Sequence, residues 1–261
     1  MKPVFTVAGA LLALVLAGCS GVTTRDTVTV SYVLRAPAVA APGPGAGPDA
    51  GSGAAAGVGA SERSRAAADL LASASLKVVR VVAQPGYSGD RILLLGDDRS
   101  LGFFAASRWV DVLPAVVGTL AVESMRGAGR LRAVFDENAP FSADYTLRLT
   151  IRRFDAEYPA KGRPPRVTVG FEAAVGRRID RATVASFVVE AQANAADDRM
   201  RDVVAAFEQA SQQALADVVR RTLESLAAEA AATPASGGAA AASAGVQNVE
   251  RPLLSRMRYA Q

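Results

Sequence analysis

Histidine is missing from all 261 residues of the chain, and cysteine occurs once, at Cys19. Without histidine, the commonest general base near neutral pH and the commonest metal ligand are both gone. One thiol closes no disulfide within the chain and builds no Cys-ligated metal site, so neither a metal nor a cofactor is expected. Lysine is scarce as well: Lys2, Lys77 and Lys161 are the only three among 29 basic residues. A serine or cysteine nucleophile needs a neighbouring base. The lysines offer only Ser–Lys pairs, and Lys77 lies in an expected strand and Lys161 in an expected loop. No Walker loop is present, and the glycine string between residues 43 and 59 follows a strand without opening onto an expected helix, which leaves no phosphate cradle. The chain is therefore not expected to be an enzyme. It also lacks any apolar run of the about 20 residues that a bilayer span requires.

What the sequence does contain begins with Lys2 and an apolar run over residues 4–16, broken by Thr6 and Gly9. Charge followed by a short greasy run is the order of a secretory signal, removed in the mature protein. The run ends in Leu16-Ala17-Gly18-Cys19, which resembles the lipobox of bacterial lipoproteins. That resemblance implies cleavage between Gly18 and Cys19, a diacylglycerol thioether on Cys19 and acylation of its new amine. Buried acyl chains contribute about 0.8 kcal/mol per CH₂, and two chains already hold firmly, so three fix the protein to a membrane. The competing reading is a plain secretory signal with an incidental Cys19. Ser20 follows the lipidated position. By the sorting rule of Gram-negative lipoproteins, in which Asp at that place retains the protein in the inner membrane, serine implies the periplasmic face of the outer membrane.

About 240 residues remain after the signal, enough for one domain with extensions. Residues 36–60 are almost wholly Ala, Pro and Gly, and residues 231–245 are Ala, Gly and Ser with one Pro and one Thr. Neither stretch buries enough apolar surface to offset its ordering entropy. The expected organisation is a signal peptide at 1–18, a lipid-anchored tether at 19–26, a domain at 27–230 with a disordered insert at 36–60, and a flexible tail at 231–261.

Within the domain, residues 27–35 are β-branched and aromatic, and read as a strand. A helical turn or two is expected within 61–73, and residues 76–83 read as one strand with Leu76, Val78 and Val81 facing inward. Runs at 91–95 and 101–106, separated by Gly96-Asp97-Asp98-Arg99-Ser100, read as a hairpin. Asp97 and Asp98 are adjacent acids in a turn and are taken as solvated. Asp111 is a candidate cap for a helix carrying Leu113, Val116, Val117 and Leu120 at helical spacing, with Pro114 in its first turn and Gly127 and Gly129 ending it.

The clearest alternation places Tyr145, Leu147, Leu149 and Ile151 on one face and Thr146, Arg148, Thr150 and Arg152 on the other. After Arg152-Arg153 the apolar phase moves to Phe154, Ala156 and Tyr158, a one-residue slip that predicts a β-bulge. Residues 166–175 and 183–190 continue an antiparallel meander. From 199 to about 229 the period becomes helical, with Met200, Val203, Phe207, Ala210, Ala214, Leu215 and Val218 on the stripe meant for the sheet. The fold class is α+β: an antiparallel or mixed sheet covered by two amphipathic helices, in one domain.

The formal net charge is +4, and basic residues gather around two successive turns: Arg152, Arg153, Lys161, Arg163, Arg166, Arg177, Arg178 and Arg181. The bland reading is solvated strand ends. The sharper one makes Arg152, Arg153, Arg177 and Arg178 contacts for a partner or for anionic lipid headgroups at one end of the sheet.

Four pieces taken together resemble the PqiC-like auxiliary lipoproteins of ABC-type transport systems, which accompany MCE-domain transporters. They are the lipobox; Tyr32-Val33-Leu34-Arg35-Ala36-Pro37; Pro85 through Arg91-Ile92 leading into a hairpin; and Phe104-Ala105-Ala106-Ser107-Arg108-Trp109 ahead of a helix. The long closing helix fits as well. The insert after Pro37 and the tail beyond 231 depart from the pattern. The resemblance implies Tyr32, Leu34, Arg108 and Trp109 as structural motif positions, with Trp109 sealing the hairpin to the helix. It implies an outer-membrane-anchored periplasmic accessory of an MCE/ABC system that moves phospholipid or another hydrophobic molecule. The implied partners are the membrane, an MCE-domain protein, lipid and further copies of the chain, with no nucleic acid. The alternative is an envelope assembly or regulatory lipoprotein, such as a cell-wall synthase activator or a secretin pilot.

Overall fold

Residues 145–157, the stretch with the cleanest alternation, form the strand on which the sheet is built. The computed structural model describes residues 28–37, 58–159 and 162–232. Its elements are β1 (Val30–Tyr32), α1 (Val58–Ser73), β2 (Ser75–Val78), β3 (Val82–Ala83), β4 (Arg91–Leu95), β5 (Leu101–Trp109), α2 (Leu113–Gly127), β6 (Ala133–Phe135), β7 (Tyr145–Glu157), β8 (Arg166–Arg177), β9 (Thr183–Asn194) and α3 (Met200–Ala232). The nine strands make one mixed sheet, and with three helices among the described residues the fold is α+β.

β7, β8 and β9 form the expected antiparallel meander, with Tyr145 opposite Arg177 and Glu157 opposite Arg166. The other edge of β7 is shared in succession by β2, β3 and β4, all parallel to it. β6 continues the sheet outward from β2, while β5 and then β1 continue it from β4. Beyond β7 the sheet therefore forks, and the gap in the fork lies beside β3.

Helices cover one face. α3 lies across β8 and β9 and is flanked by α1 and α2. The inner side chains of the meander, among them Leu147, Leu149, Ile151, Val167, Val169, Phe171, Ala173 and Val175, are fully buried against Val203, Phe207, Ala210, Ala214, Leu215 and Val218 of α3. At 1.5 Å per residue, the 33 residues of α3 run about 50 Å. The predicted bulge falls between Ile151 and Arg153, where Arg152 is the surplus residue, and it brings Phe154 and Ala156 inward in place of Arg153 and Asp155.

Several expectations need correction. Residues 76–83 are two strands rather than one. Val78 pairs with Leu147 and Val82 with Thr150, so four steps of chain face three on β7 and the ladder breaks. The strand expected over 27–35 pairs only at Val30–Tyr32, opposite the last residues of β5. α1 is a 16-residue helix that starts at Val58, inside the insert expected to be disordered and at the end of the glycine string, where no helix was expected to open. Its alanines favour helix intrinsically, and Leu71 is buried in the core. α3 runs past the expected boundary to Ala232. Asp111 is not the cap of α2. The N-cap is Val112, and the Asp111 carboxylate accepts the Val112 N–H at 2.7 Å. The rest of the insert, the signal, the tether and residues 233–261 lie outside the described residues.

Candidate functional site

The break between β2 and β3 opens a cavity of about 560 Å³, within the range of sites that take small ligands or short peptide segments. Its floor is apolar: Val78, Val81 and Val122 are buried, with Ala115, Pro114 and Gly118 along the wall that α2 presents. At Gly118 the helix faces Val81, a methyl of which would lie in ordinary contact, 3.7 Å, from an added Cβ. The rim is charged. Arg80 donates to Glu137 at 3.1 Å. Arg126 donates to the carbonyl of Val134 at 3.1 Å. Asp136 is engaged by the N–H groups of Asn138 and Ala139 in the turn after β6, and Glu123 has no ion-pair partner among the described residues. Lys77 anchors that turn through the carbonyl of Ala139 at 2.7 Å. Three carboxylates face two guanidiniums, one of them spent on a backbone carbonyl, so the rim is slightly acidic.

The segment Val78–Val81 that walls the cavity leads directly into β3, which itself does not line it. This strand pairs with β7 alone among the described strands, because β6 stops at Phe135, level with Lys77. The sequence reading missed this site. Its signal was the surplus residue in the run Leu76-Lys77-Val78-Val79-Arg80-Val81-Val82-Ala83, which no periodicity within the run itself reveals.

The residues expected from sequence to form one basic end do not come together. Successive turns of an antiparallel meander lie at opposite ends, and here the register places Arg166 level with Glu157 and Arg177 level with Tyr145. Twelve residues at about 3.3 Å separate those levels by roughly 40 Å. Arg152 and Arg153 fall between them. Arg152 pairs with Glu172 at 3.3 Å on the open face of the sheet. Arg177 is held by Asp180 at 2.7 Å and by Glu229 of α3, and its guanidinium with the Ala182 N–H brings the Asp180 carboxyl down to about 2. Arg178 is exposed and donates to the carbonyl of Ala143 at 2.8 Å. Gly18, Cys19 and Lys161 lie outside the described residues. Asp97 and Asp98 are exposed in the β4–β5 turn, as read.

Arg153 belongs to a second feature the sequence reading missed. Asp155 faces away from the helices yet is fully buried. Arg153 donates to it at 2.8 Å and Tyr87 at 2.9 Å. Tyr87 reaches it from a turn at Gly86, whose φ of 95° lets Leu101 pack where a Cβ would stand. Burial, then the Asp155 charge, pushes the Tyr87 hydroxyl up to about 12. All three groups are satisfied by one another, which marks this as a structural clasp.

Trp109 is buried, edge-on to Phe154 and Phe207. These ring contacts join the β4–β5 hairpin to β7 and to α3. Leu34 is buried and Tyr32 packs partly against the core. Arg108 is half exposed, 3.8 Å from Asp90 and 3.4 Å from the Ser31 hydroxyl, so it ties β1 to the hairpin.

Comparisons with known proteins bear on this arrangement. A family model described as ABC-type transport auxiliary lipoprotein component matches residues 58–219. Protein XCC0632 of Xanthomonas campestris has a similar fold: TM-score 0.55 at 24% identity, covering 59% of this chain and 87% of its own. Another solved protein aligns with TM-score 0.48 at 16% identity over 57% and 92% of the two chains. CT253 of Chlamydia trachomatis aligns with TM-score 0.43 at 9% identity over 60% and 99%. No curated protein matches the chain.

Proposed function

The chain belongs to the family of ABC-type transport auxiliary lipoprotein components, and from that premise we propose that it is the periplasmic accessory of an MCE/ABC system that moves phospholipid or another hydrophobic molecule, anchored in the outer membrane through Cys19. Its part is to dock with the transporter rather than to catalyse. The observation that carries this reading is the extent of the family match, which runs through α1 and α2, the forked sheet and most of α3.

Strand directions orient the proposed assembly. β1 runs parallel to β5 and so antiparallel to β7, which means that the chain enters the sheet from the end where β7 finishes at Glu157. Eight residues lie between Cys19 and Val28, and the nine steps span at most about 30 Å. An anchor at Cys19 therefore holds the Glu157 end, with exposed Arg163, toward the bilayer. Arg177 and Arg178 point the other way, toward a partner. In this orientation headgroup contact belongs to Arg163, and Arg178 is the exposed cation available to a protein.

Affinity capture of the full lipidated chain from native envelopes tests the proposal. Recovery of an MCE-domain protein with its permease and ATPase is expected. Recovery of a cell-wall synthase or a secretin in their place would assign the chain to envelope assembly instead.

A further inference from the structure

Ile179 is 84% exposed and Phe141 61% exposed, and both stand at the end of the sheet where β7 begins. Ile179 lies in the β8–β9 turn and Phe141 in the loop between β6 and β7. Turn and loop are joined to each other: the Arg178 N–H donates to the carbonyl of Asp144 at 2.9 Å, and its guanidinium donates to the carbonyl of Ala143 at 2.8 Å. By chain length alone the two apolar residues are then no more than about 20 Å apart. That distance fits inside the footprint of about 800 Å² that one partner covers in a standard interface. Exposed arginines surround them. Arg178 and Arg181 flank Ile179, and Arg130 and Arg132 precede β6, whose first residue is level with Ser75 at this same end.

Both apolar tips are held in place. Arg177 clasps Asp180 at 2.7 Å and 3.0 Å, and the same carboxylate accepts the Ala182 N–H at 3.2 Å, so the turn that presents Ile179 is braced from within. Arg181 sits at φ 59°, a left-handed backbone that a residue with a Cβ seldom takes and that recurs at binding sites. The Phe141 ring packs against Phe135, 5.5 Å between centroids, and leaves its other side open. Apolar and arginine side chains fixed in advance lose little freedom on association, and such anchors carry most of the energy of a protein interface. The carboxylates at this end are already engaged, Asp180 by Arg177 and Asp144 by Ser75 and, at 3.7 Å, by Arg132. Arg130 and Arg181 have no ion-pair partner among the described residues. The end is therefore basic and complements an acidic surface.

We propose that Phe141 and Ile179, with Arg130, Arg132, Arg178 and Arg181 around them, form the docking surface for a protein whose facing surface is acidic and takes the two tips into apolar pockets. The occupant is a protein rather than a bilayer because the anchor at Cys19 holds the other end of β7 toward the membrane. The 13 residues of β7 put about 40 Å between the two ends. This assignment rests on the anchored orientation proposed above, and adds the residues that bind and the chemistry of what they bind.

The test uses the full lipidated chain in native envelopes, with Phe141 in one variant and Ile179 in another replaced by the photo-crosslinking residue p-benzoylphenylalanine, followed by peptide mapping. The expected product from both positions is an adduct with one and the same protein, the one that affinity capture of the wild type recovers, joined through a peptide that contains Asp or Glu. Arg181→Glu, at a side chain with no ion pair among the described residues, should lower the yield from either position about tenfold at low salt and much less at high salt. Ile179→Asp should lower the yield from position 141 by a similar factor. Adducts with lipid, with another copy of the chain or with a different protein at each position overturn the proposal. So do yields indifferent to both substitutions, or no adduct from either position. The proposed function fails separately. If the protein joined at both positions is a cell-wall synthase or a secretin, the docking surface stands and the transport role falls; if wild type captures the transporter and neither position crosslinks to it, the reverse holds.

Discussion

The indole of Trp109 stands edge-on to the ring of Phe207, 5.2 Å between centroids and at 82°, although the two lie on β5 and α3, almost 100 residues apart in the chain. Phe154 of β7 completes the group, 5.8 Å from Trp109 and stacked on Phe207 at 5.2 Å. Three elements meet at one aromatic point. Trp109→Ala should therefore cost about 3–5 kcal/mol, measured by urea unfolding of the full chain, whereas Trp109→Phe should cost clearly less. An alanine variant of native stability would mean that α3 does not rest on this contact.

Ser75 and Asp144 clasp the starts of β2 and β7. The Asp144 carboxylate accepts from the Ser75 N–H at 2.9 Å and from its hydroxyl at 2.7 Å, while the Asp144 N–H donates back to that hydroxyl at 3.0 Å. These bonds, chiefly from the Ser75 side chain, hold the Asp144 pKa below its ordinary value. A depressed carboxylate stabilises the fold above its unfolded pKa of about 3.9, and that contribution is lost as pH falls through the folded value. Asp144→Asn should then cost about 1 kcal/mol at neutral pH, a figure discounted for the exposure of the carboxylate. It should also flatten the melting-temperature profile below about pH 4. An unchanged acid limb would contradict the clasp.

Tyr87 gives the opposite sign. Its pKa is pushed up to about 12 by burial and by Asp155. It stabilises fully below its unfolded value of about 10, and the contribution disappears as pH rises through 12. Tyr87→Phe removes that alkaline sensitivity and leaves buried Asp155 short of one donor, at about 1–2 kcal/mol. Asp155→Ala is costlier, about 2–3 kcal/mol, because it strands Arg153. Absorbance titration of the phenolates combined with thermal melts reads both effects.

These two clasps mark the boundary of what sequence patterns reveal. The meander was legible because Leu147, Leu149, Ile151, Val167, Val169 and Phe171 alternate cleanly, and the slip to Phe154 announced the bulge at Arg152. α3 was legible for the same reason at helical period. The parallel pairing of β2, β3 and β4 along one edge of β7 was not, since pairing partners far apart leave no local trace. Asp155 also reads as a solvent-facing residue, yet Arg153 and Tyr87, the latter folded over from a Pro-Gly turn, both bond to it where it is buried. The basic turns misled because adjacency in sequence was taken for adjacency in space, whereas an antiparallel hairpin puts successive turns at opposite ends. The long strand seen in residues 76–83 failed over a single surplus residue, and that surplus opens the candidate groove.

The proposed orientation separates two arginines that sequence reading grouped together. In the full chain carrying Cys19→Ser, Arg163→Glu should weaken association with anionic vesicles about fivefold at low salt, given about 1 kcal/mol per basic residue near such a surface, and the difference should vanish at high salt. Arg178→Glu should leave vesicle binding unchanged and reduce capture of the transport partner. Reversed sensitivities would turn the molecule end for end.

The most direct measurement is metabolic labelling with an alkyne fatty acid, read together with the position of the full-length protein in an envelope density gradient. The account predicts label on the wild-type chain in the outer-membrane fraction, and a Cys19→Ser chain that is unlabelled and released from that fraction. An unlabelled wild type, or a Cys19→Ser chain that still bands with the outer membrane, would contradict it.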